Sequence, residues 1–207
     1  MNNDTSLPVW LDEIVSIEYS EDLEREQRAS VGEYFWEMGN KFDDFDTFYE
    51  QVARDWPEEP LNPDHRAHSL ENYRQGDPWN CLGRTTFLTA LADIGFGKTM
   101  DIVLEYTGDW DPEREMVRQN RSHIHLKDRD GTQYGPSATY DSDDEFYRTS
   151  QHDPEILPLL YRLSEAHYKA ENGNIDEARE ITRQVEDSTV SSEYIGRKIA
   201  EVKEFGY

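Results

Sequence analysis

The sequence predicts an α+β fold, and three observations lead there. Apolar residues recur at helical spacing through the first third of the chain and again after residue 153. Between them, residues 98–141 turn β-branched and partly alternating, as strands do. Turn residues separate the blocks, without long repeats or a low-complexity linker.

In chain order, residues 8–18 are expected to dock a short segment through Trp10, Leu11, Ile14 and Val15. Glu21 to Met38 reads as a helix with Leu23, Val31, Tyr34, Phe35 and Met38 on its core face, ended by Gly39-Asn40. A second helix fits Asp43 to Trp56, with Phe45, Phe48, Tyr49 and Val52 in register. Residues 57–64 form a turn-rich connector, and a shorter helix fits His65 to Arg74.

The stretch Gln75 to Phe96, QGDPWNCLGRTTFLTALADIGF, holds the chain's single cysteine. Asp77-Pro78 is a turn signal, Asn80 a good N-cap, and Phe87, Leu88, Leu91 and Ile94 follow at helical spacing. Gly95 is expected to end the helix as a C′ residue. Cys81 then lies in the first turn, where the helix dipole and free N–H groups favour the thiolate. The plain alternative is a small buried hydrophobe.

KTMDIVLEYTG, residues 98–108, reads as a strand that GDWDPE closes, and Asp111-Pro112 is expected to open a short helix to Gln119. SHIHLK is a second strand by alternation, followed by the turn DRDG and an extended piece ending in SATYD. From Asp153 onward three helices are expected, broken near Asn172-Gly173 and Ser188–Ser192. The shift near residue 150 divides the chain into residues 1–150, an α+β domain, and 151–207, a helical extension.

A formal net charge of −24 from 45 acidic and 21 basic residues repels nucleic acid and anionic lipid. Only six of the basic residues are lysines. With 12% aromatic residues the chain is expected to fold, and its acidity reads as surface adaptation to high salt. One cysteine fits a reducing compartment. Neither a signal-peptide pattern nor an 18-residue apolar run occurs, so the expected location is the cytoplasm.

A thiol nucleophile needs a base, and the base needs an acceptor to orient it. The strand carrying His123 and His125 and the segment ending at Asp141 supply both residue types, in that order after Cys81. Period two puts the histidines on one face, so spacing alone does not choose between them. Gln75, shortly before Cys81, could add its amide N–H to that of the Cys81 backbone in an oxyanion hole.

NCLGRTTFLTALADIGFG, SHIHLKDRDG and SATYD together resemble the transglutaminase-like superfamily of papain-type cysteine enzymes, over roughly residues 65–145. The resemblance implies Cys81 as nucleophile, a strand histidine as general base and acid, and Asp141 as its orienter. It also implies Gln75 as an oxyanion donor, a peptide or protein substrate and no cofactor. His125 stands where the family usually has an aromatic residue, and Gly135-Pro136 interrupts the last strand. Asp130 and Asp143 are therefore alternatives to Asp141. The expected activity is acyl transfer at an amide or peptide bond, hydrolysis before cross-linking.

Two competitors come from the residues themselves. His65 with His68, and His123 with His125, could ligate a metal with Asp64 or Glu71, although the chain has neither a Cys-rich nor an HExxH pattern. LPLLYRLSEAHYKAENGNIDEAREITRQVEDS resembles one degenerate tetratricopeptide unit, which implies a non-catalytic interaction scaffold with a partner at the C-terminal helices.

Overall fold

The computed structural model describes residues 7–18, 21–54, 80–111, 116–135, 148–188, 190 and 192–206. The connector at 57–64, the helix expected at 65–74 and the SATYD piece lie outside the described residues, as do Gln75, Asp141 and Asp143.

The alternating middle of the chain becomes a four-stranded antiparallel sheet. Its strands are β1 (Asp101–Asp111), β2 (Met116–Lys127), β3 (Gln133–Tyr134) and β4 (Arg148–His152), in the order β3-β2-β1-β4. Leu104 pairs with Ile124, Glu105 with His123 and Val103 with His125, and a bulge shifts the register between Thr107 and Gly108. Because successive strand residues face opposite ways, Ile102, Leu104, Tyr106, Ile124 and Leu126 enter the apolar core. Val103, Glu105, Thr107, His123 and His125 take the other face.

Two expectations are corrected here. Met116–Gln119 is strand, not the end of a helix, because pairing with the extension of β1 through Asp111 outweighs the turn signal. β4 was not expected: its residues RTSQH are polar, and it is an edge strand exposed along most of its length.

The described residues also hold seven α-helices: α1 (Val9–Glu18), α2 (Glu21–Gly39), α3 (Phe45–Phe48), α4 (Cys81–Ala90), α5 (Ile156–Glu171), α6 (Ile175–Glu186) and α7 (Glu193–Lys203). α3 continues as a π-helical turn, Tyr49–Ala53, and α4 as another, Leu91–Gly95. Asp44 caps α3 by accepting from the Thr47 N–H at 2.7 Å. That bond holds the Asp44 carboxyl below its usual range.

Trp10, Leu11, Ile14 and Val15 are all buried, as the apolar spacing of residues 8–18 predicts. α1 packs on α5, so the helical C-terminal stretch shares its core with the N-terminal helices. Phe35 meets Phe87 edge to face at 5.2 Å, joining α2 to α4. Burial of side chains such as Phe87, Leu88 and Leu91 stabilises the fold by about 1.5–3 kcal/mol each.

Gly95 has a role different from the expected one. The left-handed residue that ends this helix is Gly97, at φ 63°. Gly95 lies inside the π-helical turn against Gly39 of α2, where a Cβ on Gly39 would come within 2.4 Å of the Gly95 carbonyl oxygen.

Candidate active site

Cys81 is the first residue of α4 and is half-buried. Asn80 adopts extended backbone and its side-chain oxygen accepts from the Gly83 N–H at 2.9 Å. Behind Cys81, every residue from Leu82 to Ala92 is buried. A buried helix with three threonines needs partners for their hydroxyls, and carbonyls supply them. Thr86 donates to Leu82 at 2.9 Å and Thr89 to Thr85 at 2.7 Å. Thr85 instead reaches out of the helix to the Ile124 carbonyl at 3.0 Å. The Arg84 guanidinium donates to the Ala53 carbonyl at 2.8 Å, tying α4 to the turn after α3.

Among the described residues, a charged group that acts on Cys81 comes from α7. Lys198 of α7 interacts electrostatically with it. Glu201 accepts from the Lys198 ammonium at 2.9 Å, and the ammonium lies 5.7 Å from the Tyr194 ring centroid. Burial works against the Lys198 charge, but Tyr194, Glu201 and Cys81 more than offset it and raise its pKa. The interaction is mutual: the ammonium favours a negative charge on sulfur, as does the first turn of α4.

His123 and His125 are 8% and 3% exposed. Their rings stack at 5.9 Å between centroids with 29° between planes. Nε2 of His123 and both ring nitrogens of His125 have no hydrogen-bond partner, so no hydrogen bond joins the Cys81 sulfur to any of these three. Cys81 packs against the apolar cluster that holds Ile124 and Leu126, and strand alternation turns both rings to the other face. Beside them stands the Glu105 carboxylate of β1, with Oε2 3.6 Å from His125 Nδ1. Burial pushes the His125 pKa down; Glu105 opposes this, while His123 and Lys127 add to it. Asp130 sits exposed on the turn after β2, where its N–H donates to Asp128 at 3.0 Å.

The structure thus couples Cys81 to Lys198 and groups His123, His125 and Glu105. Sequence reasoning did not single out Lys198 or Glu105. Glu105 had a visible signal, a carboxylate in the otherwise apolar run IVLEY. Lys198 had none, since 117 residues separate it from Cys81.

No family model matches the sequence, and no curated protein or solved structure matches it. Among the described residues no helix is long and apolar enough to cross a membrane.

Proposed function

We propose that the chain is a cysteine-dependent acyl-transfer enzyme acting on amide or peptide bonds, with Cys81 as nucleophile and Lys198 as the group that keeps it a thiolate. The observation that carries this reading is the placement of a half-buried thiol at a capped helix start, within electrostatic reach of an ammonium. The thiolate attacks the carbonyl carbon and forms the C–S bond. The C–N bond then breaks, and the leaving amine takes a proton from Lys198. Water attacks the thioester, giving up a proton to Lys198 as the acid and the thiolate separate. Glu201 positions the lysine through its 2.9 Å hydrogen bond.

Carbamidomethylation of the folded protein tests this. Cys81 is expected to react faster than a model thiol at neutral pH, and Lys198→Met to slow it toward the model rate. His123→Ala and His125→Ala should leave the rate within about twofold, since neither ring is hydrogen-bonded to the sulfur through the three unpartnered nitrogens. Slow labelling indifferent to Lys198→Met overturns the reading.

A second reading rests on α5 and α6. Ala166, Ala170, Ala178 and Val202 form a small apolar cluster of their own, with Ile175 and Ile181 against it. A helical hairpin with small residues at its crossing supports the tetratricopeptide-like resemblance, and with it an interaction scaffold. Slow Cys81 labelling would favour that alternative.

A further inference from the structure

We propose that His123, His125 and Glu105 form a site for one borderline divalent cation of the zinc, cobalt or nickel class. The site stands apart from the role given to Cys81 and does not depend on it.

The geometry comes from the sheet. Residues two apart on β2 present two imidazoles on one face, and the residue directly opposite His123 on β1 presents a carboxylate. Two ligands of a tetrahedral ion, each about 2.0–2.1 Å from the metal, stand about 3.3–3.4 Å apart. Glu105 Oε2 and His125 Nδ1 are 3.6 Å apart, too far for a hydrogen bond and close to that ligand spacing.

The chemistry points the same way. Three imidazole nitrogens of these two rings are buried without a partner, which folded proteins seldom leave uncompensated. A proton on one of these nitrogens would bury a positive charge and leave the new N–H without an acceptor. A divalent cation takes a lone pair from each ring and offsets the carboxylate charge. Neutral imidazole is the ligating form. Gly135 borders the site: a Cβ there would lie 2.9 Å from the His125 Cβ, so glycine leaves that ring its room.

Among the described residues no group of three His, Cys, Asp or Glu side chains is placed to hold a metal ion. Binding therefore includes rotation of the His123 ring from its stacked position toward the other two ligands.

The test is titration of the full chain with Co²⁺ in chelator-stripped, high-salt buffer. One ion per chain is expected, with tetrahedral ligand-field bands and no thiolate-to-cobalt charge transfer. His123→Ala and His125→Ala should each weaken binding more than about a hundredfold, because outer-shell changes alone cost about 10–100-fold. Glu105→Gln should weaken it at least about tenfold. Cys81→Ser, His152→Ala and the double variant His65→Ala/His68→Ala should leave it unchanged. Binding that survives loss of His123 and His125, or that disappears with Cys81 or the 65/68 pair, overturns the proposal, as does a wild-type chain that binds no Co²⁺. Should the histidine variants fail to fold, NMR of the Co²⁺-loaded wild type decides. Hyperfine-shifted signals from both the His123 and His125 rings are expected, and their absence overturns the site.

Discussion

The Thr85 hydroxyl donates to the Ile124 carbonyl at 3.0 Å, so the helix that Cys81 begins is bonded to β2 between His123 and His125. Thr85 and its partner are buried. Thr85→Val preserves the shape and removes this buried hydrogen bond, at a cost of about 0.5–1.5 kcal/mol. Urea denaturation should show a lower midpoint with an unchanged m-value. Thr85→Val should also loosen the start of α4, read as faster amide exchange at Leu82 and Gly83.

The close approach of Gly39 to Gly95 sets two opposing effects against each other. Glycine-to-alanine inside a helix normally gains up to about 1 kcal/mol from propensity. A Cβ on Gly39 would fall 2.4–2.6 Å from backbone atoms of Gly95, which cannot rotate away. Overpacking of this kind costs about 1–3 kcal/mol, so clash wins. Gly39→Ala should lower the denaturation midpoint, whereas Gly173→Ala, with open space around it but φ 80°, should cost only its backbone strain.

Asn80→Ala removes the side-chain bond to Gly83 N–H and should destabilise the fold by about 0.5–2 kcal/mol. Under the proposed function it should also slow Cys81 alkylation at neutral pH, because the frayed first turn presents fewer aligned dipoles to the sulfur. Asn80→Asp keeps the cap but adds a negative charge beside the thiol. That variant should retain stability while still labelling slowly, which separates capping from electrostatics.

Helices were legible where one apolar face decided them. Trp10, Leu11, Ile14 and Val15 in α1, and Phe87, Leu88 and Leu91 in α4, are buried as their spacing requires. Asn80 announced its cap in the same way. What pairing or tertiary approach decides was not legible. β4 is too polar to declare itself, and it forms because β1 offers it an edge from Ile102 to Tyr106. Gly95 was read from local turn chemistry, yet its role is set by Gly39, 56 residues away. At the site, order along the chain correctly suggested a helix bearing Cys81 and a strand bearing the histidines. It could not show that strand alternation turns both rings away from Ile124, or that α7 returns Lys198 to the thiol.

The charge balance makes a prediction about salt. At −24 the chain repels itself, and the screening length falls from about 10 Å at 0.1 M to about 3 Å at 1 M. The thermal midpoint should rise steadily from 0.1 to 2 M KCl. A midpoint that is flat or falls over that range would mean that the acidic excess is not the dominant destabilising term.

Lys98 offers a test in which the pH direction is fixed by the geometry. Its ammonium donates to the Tyr134 hydroxyl at 2.8 Å and meets Asp46 at 3.1 Å and Asp128 at 3.2 Å, while Tyr134 donates to Asp46 and lies 3.0 Å from Asp128. The ammonium also sits 5.0 Å from the Tyr134 ring centroid. Asp128 is the buried member, its side chain 7% exposed against 63% for Asp46. Burial alone would raise the Asp128 pKa, but the Thr132 N–H, Lys98 and Tyr134 together pull it below 3.8. A carboxylate whose folded pKa is depressed adds stability above its unfolded value and loses it as pH falls through the folded one. The Asp128 contribution should therefore be complete at neutral pH and begin to be lost only as pH falls below about 3.8. Lys98→Met takes away the cation and leaves the buried carboxylate facing a tyrosine. Breaking a fully buried pair costs about 3–5 kcal/mol; Lys98 is 30% exposed, so about 1–3 kcal/mol is expected here. The loss should be largest at pH 7 and begin to shrink below about pH 3.8, as protonation of Asp128 takes the interaction from the wild type. Denaturation midpoints of the two proteins, measured at fixed salt from pH 7 down to 3, should converge; a constant gap would show that Lys98 acts through packing of its aliphatic stem instead.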